Sequence, residues 1–157
     1  MAYRNTTYVA FAGCGTTNPT ESDIKYYNLM KGWRECENIN FSFYDSHDKT
    51  SSVKDNSSTE TLKRRLKERL NESKNILVFI SKNTKSNFSE ILDFEITTAV
   101  NLGLPMILCY CPIEGIKDRK LLPDRINLLF RDYKQIYEII FAREQVLLAI
   151  HNYSIHN

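Results

Sequence analysis

Asn75-Ile-Leu-Val-Phe-Ile80, Ser89-Glu-Ile-Leu-Asp-Phe-Glu-Ile-Thr-Thr-Ala-Val-Asn-Leu102 and Leu104-Pro-Met-Ile-Leu-Cys-Tyr110 follow one another and decide the fold. The first and last are short, nearly unbroken apolar runs, the pattern of parallel strands buried on both faces. The middle segment has helical periodicity. Wound at about 100° per residue with Glu95 at zero, it brings Phe88, Ile91, Leu92, Ala99 and Leu102 within roughly 60° of Glu95, and sets Glu90, Asp93, Thr97 and Asn101 on the opposite side. Glu95 therefore falls inside the apolar stripe. A carboxylate there has to be paired, protonated or turned into a cleft, because burying it bare is very costly.

Upstream, Thr7-Tyr-Val-Ala-Phe-Ala12 is β-prone and is ended by Gly13; residues 13–20 read as a loop. Ser22 or Asp23 is placed to cap a helix with apolar positions at Ile24, Tyr27, Met30 or its neighbour Leu29, and Trp33, ending near Glu37. Phe41-Ser-Phe-Tyr44 is a second short strand, and the polar stretch 45–56 a second long loop. Ser57 and Glu60 have capping-box spacing ahead of a seam of Leu62, Leu66 and Leu70. Lys63, Arg64, Arg65, Lys67 and Arg69 fill the rest of that helix and read as a solvated face. Residues 81–87 form a third loop. Beyond Tyr110 come a polar region with Pro112, Gly115 and Pro123, a short helical turn over 124–130, a strand over 136–141 and a helix over 142–152. This order predicts a three-layer α/β domain, a mainly parallel five-stranded sheet with helices on both faces, occupying residues 1–157 as a single domain. Ligands of such sheets sit at the carboxyl ends of the strands, where the three loops and the start of the Glu95 helix converge.

The bulk composition limits the function classes. With 157 residues the chain can bury one core, and 42% hydrophobic with 25% charged residues is the balance of an ordered globular protein. Twenty-one basic against nineteen acidic residues give +2, which offers no footprint for nucleic acid. Cys14, Cys36, Cys109 and Cys111 follow neither a metal-ligand nor a disulfide spacing, so the expectation is reduced thiols in the cytoplasm and no metal. No apolar run approaches the ~18 residues of a membrane span.

Six fragments in order carry a family resemblance: Tyr8 to Phe11, Asp23 to Trp33, Phe41 to Asp48, Leu62 to Leu70, Thr84-Lys85, and Phe94-Glu-Ile96 followed by Leu104 to Ile107. Together they resemble the TIR-like domain of bacterial Thoeris antiphage systems, related to a flavodoxin-like family, over roughly residues 7–153. The resemblance implies a catalytic glutamate on the helix after the third strand, which maps onto Glu95. It further implies that NAD+ is the substrate, with no separate cofactor, and that the nicotinamide–ribose bond is cleaved. The product would be a cyclic or otherwise modified ADP-ribose that activates a separate effector protein, with self-assembly or a phage-derived activator as the trigger.

Other residues are candidates by position at the same edge. Phe11, Ala12 and Gly13 end the first strand, where backbone amides and an aromatic ring suit a base or a phosphate; a strand end and a turn glycine are the plain alternative. Asp45, His47 and Asp48 follow the second strand and suit ribose hydroxyls, against turn capping by the aspartates with an exposed histidine. Ser81 and Thr84 precede the Glu95 helix and suit a phosphate or ribose, though both types are common in such loops. Two rivals stand beside the enzyme: a non-enzymatic TIR-like assembly module, and a flavodoxin-like or receiver-like module. Receivers need an acidic pair after the first strand and a lysine after the fifth, where this chain has Phe11-Ala-Gly13 and Phe141-Ala-Arg143.

Overall fold

A computed structural model describes residues 6–12, 24–36, 42–45, 59–111 and 117–155. They form strands β1 (Thr6–Ala10), β2 (Ser42–Asp45), β3 (Ser73–Ile80), β4 (Met106–Tyr110) and β5 (Ile136–Ile140), and helices α1 (Ile24–Cys36), α2 (Thr59–Asn71), α3 (Glu90–Asn101), α4 (Asp124–Asp132) and α5 (Arg143–Asn152). A 3-10 turn at Arg119–Leu121 precedes α4. The five strands form one sheet in the order β2-β1-β3-β4-β5, and every pairing is parallel.

Strand side chains alternate between faces, and that alternation divides the core in two. Tyr8, Ala10 and Ala12, Ile76, Val78 and Ile80, and Met106, Leu108 and Tyr110 face one side, where Leu66 and Leu70 of α2, Leu92, Ile96 and Ala99 of α3, and Ile126 and Leu129 of α4 cover them. Val9 and Phe11, Leu77 and Phe79, and Ile107 and Cys109 face the other, under Tyr27 and Met30 of α1 and Val146, Ala149 and Ile150 of α5. Both faces of β3 and β4 are thus sealed, which is why their sequences lack polar alternation.

α3 is fixed at both ends by local chemistry. Ser89, in extended conformation, accepts the Leu92 N–H on its hydroxyl at 3.1 Å and caps the first turn. At the other end Gly103 takes φ +71, while its N–H reaches Val100 O and that of Leu104 reaches Ala99 O, each at 3.0 Å. This is a Schellman closure, for which glycine carries no Cβ penalty. It turns the chain through Pro105 directly into β4.

Several sequence boundaries shift. β1 ends at Ala10, so Phe11 and Ala12 follow the strand, and Asp45 belongs to β2 rather than to the loop after it. β3 begins at Ser73, two residues earlier than its apolar run, and the short turn expected over 124–130 is a full α-helix to Asp132. Met30 is buried while Leu29 is half exposed. The expected caps Ser22, Asp23 and Ser57 lie outside the described residues, as do positions 13–20 and 46–56.

Candidate active site

The chain leaves β1 for the outer strand β2 and returns to β3 on the other side of β1, so the direction in which the sheet grows reverses between β1 and β3. The carboxyl ends of these two strands border the crevice where parallel sheets bind ligands. Phe11 and Ala12 stand there after β1, Ser81 after β3, and Asp45 ends β2 in register with Val9.

Glu95 lies in the second turn of α3, on the face turned to the sheet. It is 2% exposed, so its carboxyl group lies within the core. The Tyr8 hydroxyl donates to its Oε2 at 2.5 Å, joining α3 to β1 across the buried interface. Tyr8 itself is fully buried on a strand paired on both sides, two residues before the end of β1, which sets its Cα roughly 7 Å below the strand end at about 3.3 Å per residue. The acid therefore sits beneath the crevice, on the α2 and α3 side of the sheet.

α3 is also tied along its outer face. Lys63 of α2 donates to Glu90 Oε1 at 2.8 Å and its ammonium lies 5.4 Å from the Phe94 ring centre. The hydrogen bond to Glu90 holds Lys63 above the ordinary lysine value and Glu90 below the ordinary carboxylate value. On the other flank, Arg125 of α4 donates to Asp93 at 3.1 Å and to Thr97 Oγ1 at 3.0 Å. Lys63, expected on the solvated face of α2, is thus half-buried at the α2–α3 contact; Arg64, Arg65 and Lys67 are exposed as expected.

The other position-based candidates separate. The Phe11 ring is 3% exposed and packs on the α1 side, 5.8 Å from Phe79 and 6.4 Å from Tyr27, whereas Glu95 lies on the opposite face. Ala12 is buried on the Glu95 side. The Thr84 hydroxyl accepts the Ser81 N–H at 2.8 Å and donates to Phe79 O at 3.4 Å, while Ser81 Oγ accepts the Asn83 N–H at 3.1 Å. Both hydroxyls knit the turn that leads from β3 to α3, and both residues are buried. Gly13 and His47 lie outside the described residues.

Tyr8 is the residue that sequence reading passed over. A tyrosine in a β-prone run is an ordinary strand former, and only the alternation with Ala10 and Ala12 places it on the face that α3 covers. A second polar group, Tyr110, Glu138 and Arg119, joins the end of β4 and the middle of β5 to the 3-10 turn: Tyr110 donates to Glu138 Oε2 at 2.8 Å, and Arg119 donates to both carboxylate oxygens through Nε at 3.1 and 3.3 Å. Among the described residues no cluster of three or more His, Cys, Asp or Glu side chains is arranged to hold a metal ion, and no helix is long and apolar enough to cross a membrane.

An all-parallel 2-1-3-4-5 sheet with helices on both faces defines a flavodoxin-like α/β domain. Residues 8–115, more than half of the chain, match the family model described as Thoeris protein ThsB, TIR-like domain. The chain belongs to this family of Thoeris antiphage defence proteins.

Proposed function

We propose that the protein consumes NAD+, with Glu95 as the catalytic carboxylate. The observation that carries this reading is the acid itself: a glutamate built into the core face of α3, hydrogen-bonded by Tyr8, beneath the crevice of a TIR-like domain. The chemistry asks little more. The ribose C1′–nitrogen bond breaks with its electron pair leaving on nicotinamide, which departs neutral, so no general acid is needed. Positive charge develops on the ribose as in glycoside hydrolysis. A carboxylate gripping the ribose hydroxyls meets that charge in a dry site, where it acts most strongly. Water then adds its oxygen to C1′ and releases a proton, giving ADP-ribose; an adenine nitrogen held against the same carbon closes a cyclic product instead, again with loss of a proton. A cyclic or modified ADP-ribose made in this way is the signal we assign to a separate effector protein in the cytoplasm.

With Glu95 only 2% exposed, substrate needs the crevice to open, which favours a trigger such as self-assembly or a phage-derived activator. The same burial also favours a second reading, a non-enzymatic assembly module in which Glu95 and Tyr8 merely brace α3 on β1. Purified full chain incubated with NAD+, alone and with lysate of phage-infected cells, separates the two. The enzyme reading expects free nicotinamide in at least one arm and at least a hundredfold less from Glu95→Gln. Intact NAD+ in both arms supports the module.

A further inference from the structure

We infer that Tyr8 is the positioning residue of this site: its hydroxyl holds the Glu95 carboxylate in the orientation from which it meets the ribose. The inference rests on the reading of Glu95 as the acting acid and adds a second residue to it. A glutamate side chain has three rotatable bonds, and catalytic power falls steeply when a reacting group strays by about an ångström. Anchoring one carboxylate oxygen to a rigid element removes most of that freedom. β1 is such an element, hydrogen-bonded to β2 on one side and β3 on the other. The Tyr8 hydroxyl reaches Oε2 from it at 2.5 Å, with Tyr8 0% and Glu95 2% exposed, so solvent does not compete for the contact.

A merely structural pair is a poor explanation of the same geometry. Phenylalanine at 8 and an apolar residue at 95 would fill this space, and α3 is already linked to both neighbouring helices through Lys63–Glu90 and Arg125–Asp93. Burying a carboxylate is costly, whereas apolar groups of the same shape in place of both partners of a buried hydrogen bond are close to neutral. The pair makes sense where the acid is used and has to be held still.

The test is Tyr8→Phe in the full chain, which deletes one oxygen and keeps the ring, assayed with NAD+ under whichever condition activates the wild type. We expect kcat to fall roughly 10- to 100-fold, the range for losing a hydrogen bond to a charged group, with KM within about twofold and Tm within a few degrees. As a readout independent of turnover, the carboxylate infrared band identified by its loss in Glu95→Gln shifts in Tyr8→Phe. Should Tyr8→Phe fold poorly, a ring-fluorinated tyrosine at position 8, a stronger donor, moves that band the opposite way. Wild-type kcat and an unmoved band in Tyr8→Phe, with Glu95→Gln inactive, overturn this inference and leave the role of Glu95 standing. NAD+ cleavage at wild-type rate by Glu95→Gln overturns both.

Discussion

A glutamate inside an apolar helix stripe raises a question that stability measurements can answer. If Glu95 and Tyr8 are kept for function, the core is better off without the pair, since replacing both partners of a buried hydrogen bond by apolar groups of similar shape is close to neutral or stabilising. The Tyr8→Phe/Glu95→Leu double variant is therefore predicted to unfold in urea with a stability within about 1 kcal/mol of wild type or above it. Glu95→Leu alone, which strips the Tyr8 hydroxyl of this acceptor, should be less stable than the double variant. A double variant several kcal/mol weaker than wild type would mean that the pair is part of the scaffold. At this scale the sequence was half legible. The wheel exposes Glu95 because a charge in an apolar stripe contradicts its surroundings, whereas Tyr8 contradicts nothing in a strand and emerges only once β1 and α3 are packed together.

Among the elements, the junction of β4, β5 and the 3-10 turn has a defined response to pH. Burial pushes the Glu138 carboxyl up, but hydrogen bonds from Arg119 and Tyr110 outweigh it and hold the group below its ordinary 4.5. A carboxyl depressed in the folded state contributes stability that is fully present above its unfolded value and is lost as pH falls through the folded one. The Tm of wild type should accordingly be insensitive to Glu138 at neutral pH and begin to lose its contribution below about pH 4.5. In Glu138→Gln that part of the acid decline should be missing, which thermal scans from neutral pH down to pH 3 will show. An unchanged slope in the variant would remove Glu138 from the account. The same region marks where sequence reading falls short. The apolar content near 136–141 marks β5, but residues 124–130 read only as a short turn, because Ile126 and Leu129 are the buried residues of α4 and Leu128 between them is exposed.

For the molecule as a whole, the parallel five-stranded sheet is legible in the alternation of apolar runs with helical segments, because parallel strands need a crossover between them, whereas the strand order comes from the structure. What escaped was the polar chemistry that closes the fold. β3 starts at Ser73 because buried Ser73 and Asn75 have partners that a hydrophobic pattern cannot reveal. The Ser73 hydroxyl donates to Arg69 O at 2.7 Å, and Asn75 Nδ2 donates to Ile150 O at 3.1 Å and Tyr153 O at 2.7 Å, satisfying the end of α5. Asn75→Ala should thus cost about 1–3 kcal/mol in global stability and speed amide hydrogen exchange around residues 150–155. Unaltered exchange there would show that α5 is held by packing alone. The ligand loops were legible only as loops. Polar composition marks residues 13–20 and 45–56 as loop-like, while any role for Asp45 and His47 depends on geometry that composition does not encode.

The central claim is that Glu95 cleaves NAD+ to make a nucleotide signal. Mass spectrometry of nucleotides in phage-infected and uninfected cells, expressing either the wild-type chain or Glu95→Gln, tests it most directly. NAD+ loss, a rise in free nicotinamide and a new ADP-ribose derivative are expected in infected cells carrying the wild type and not in those carrying Glu95→Gln. Equal NAD+ and no new ADP-ribose species in the two strains, at equal protein levels and during infection, would contradict it.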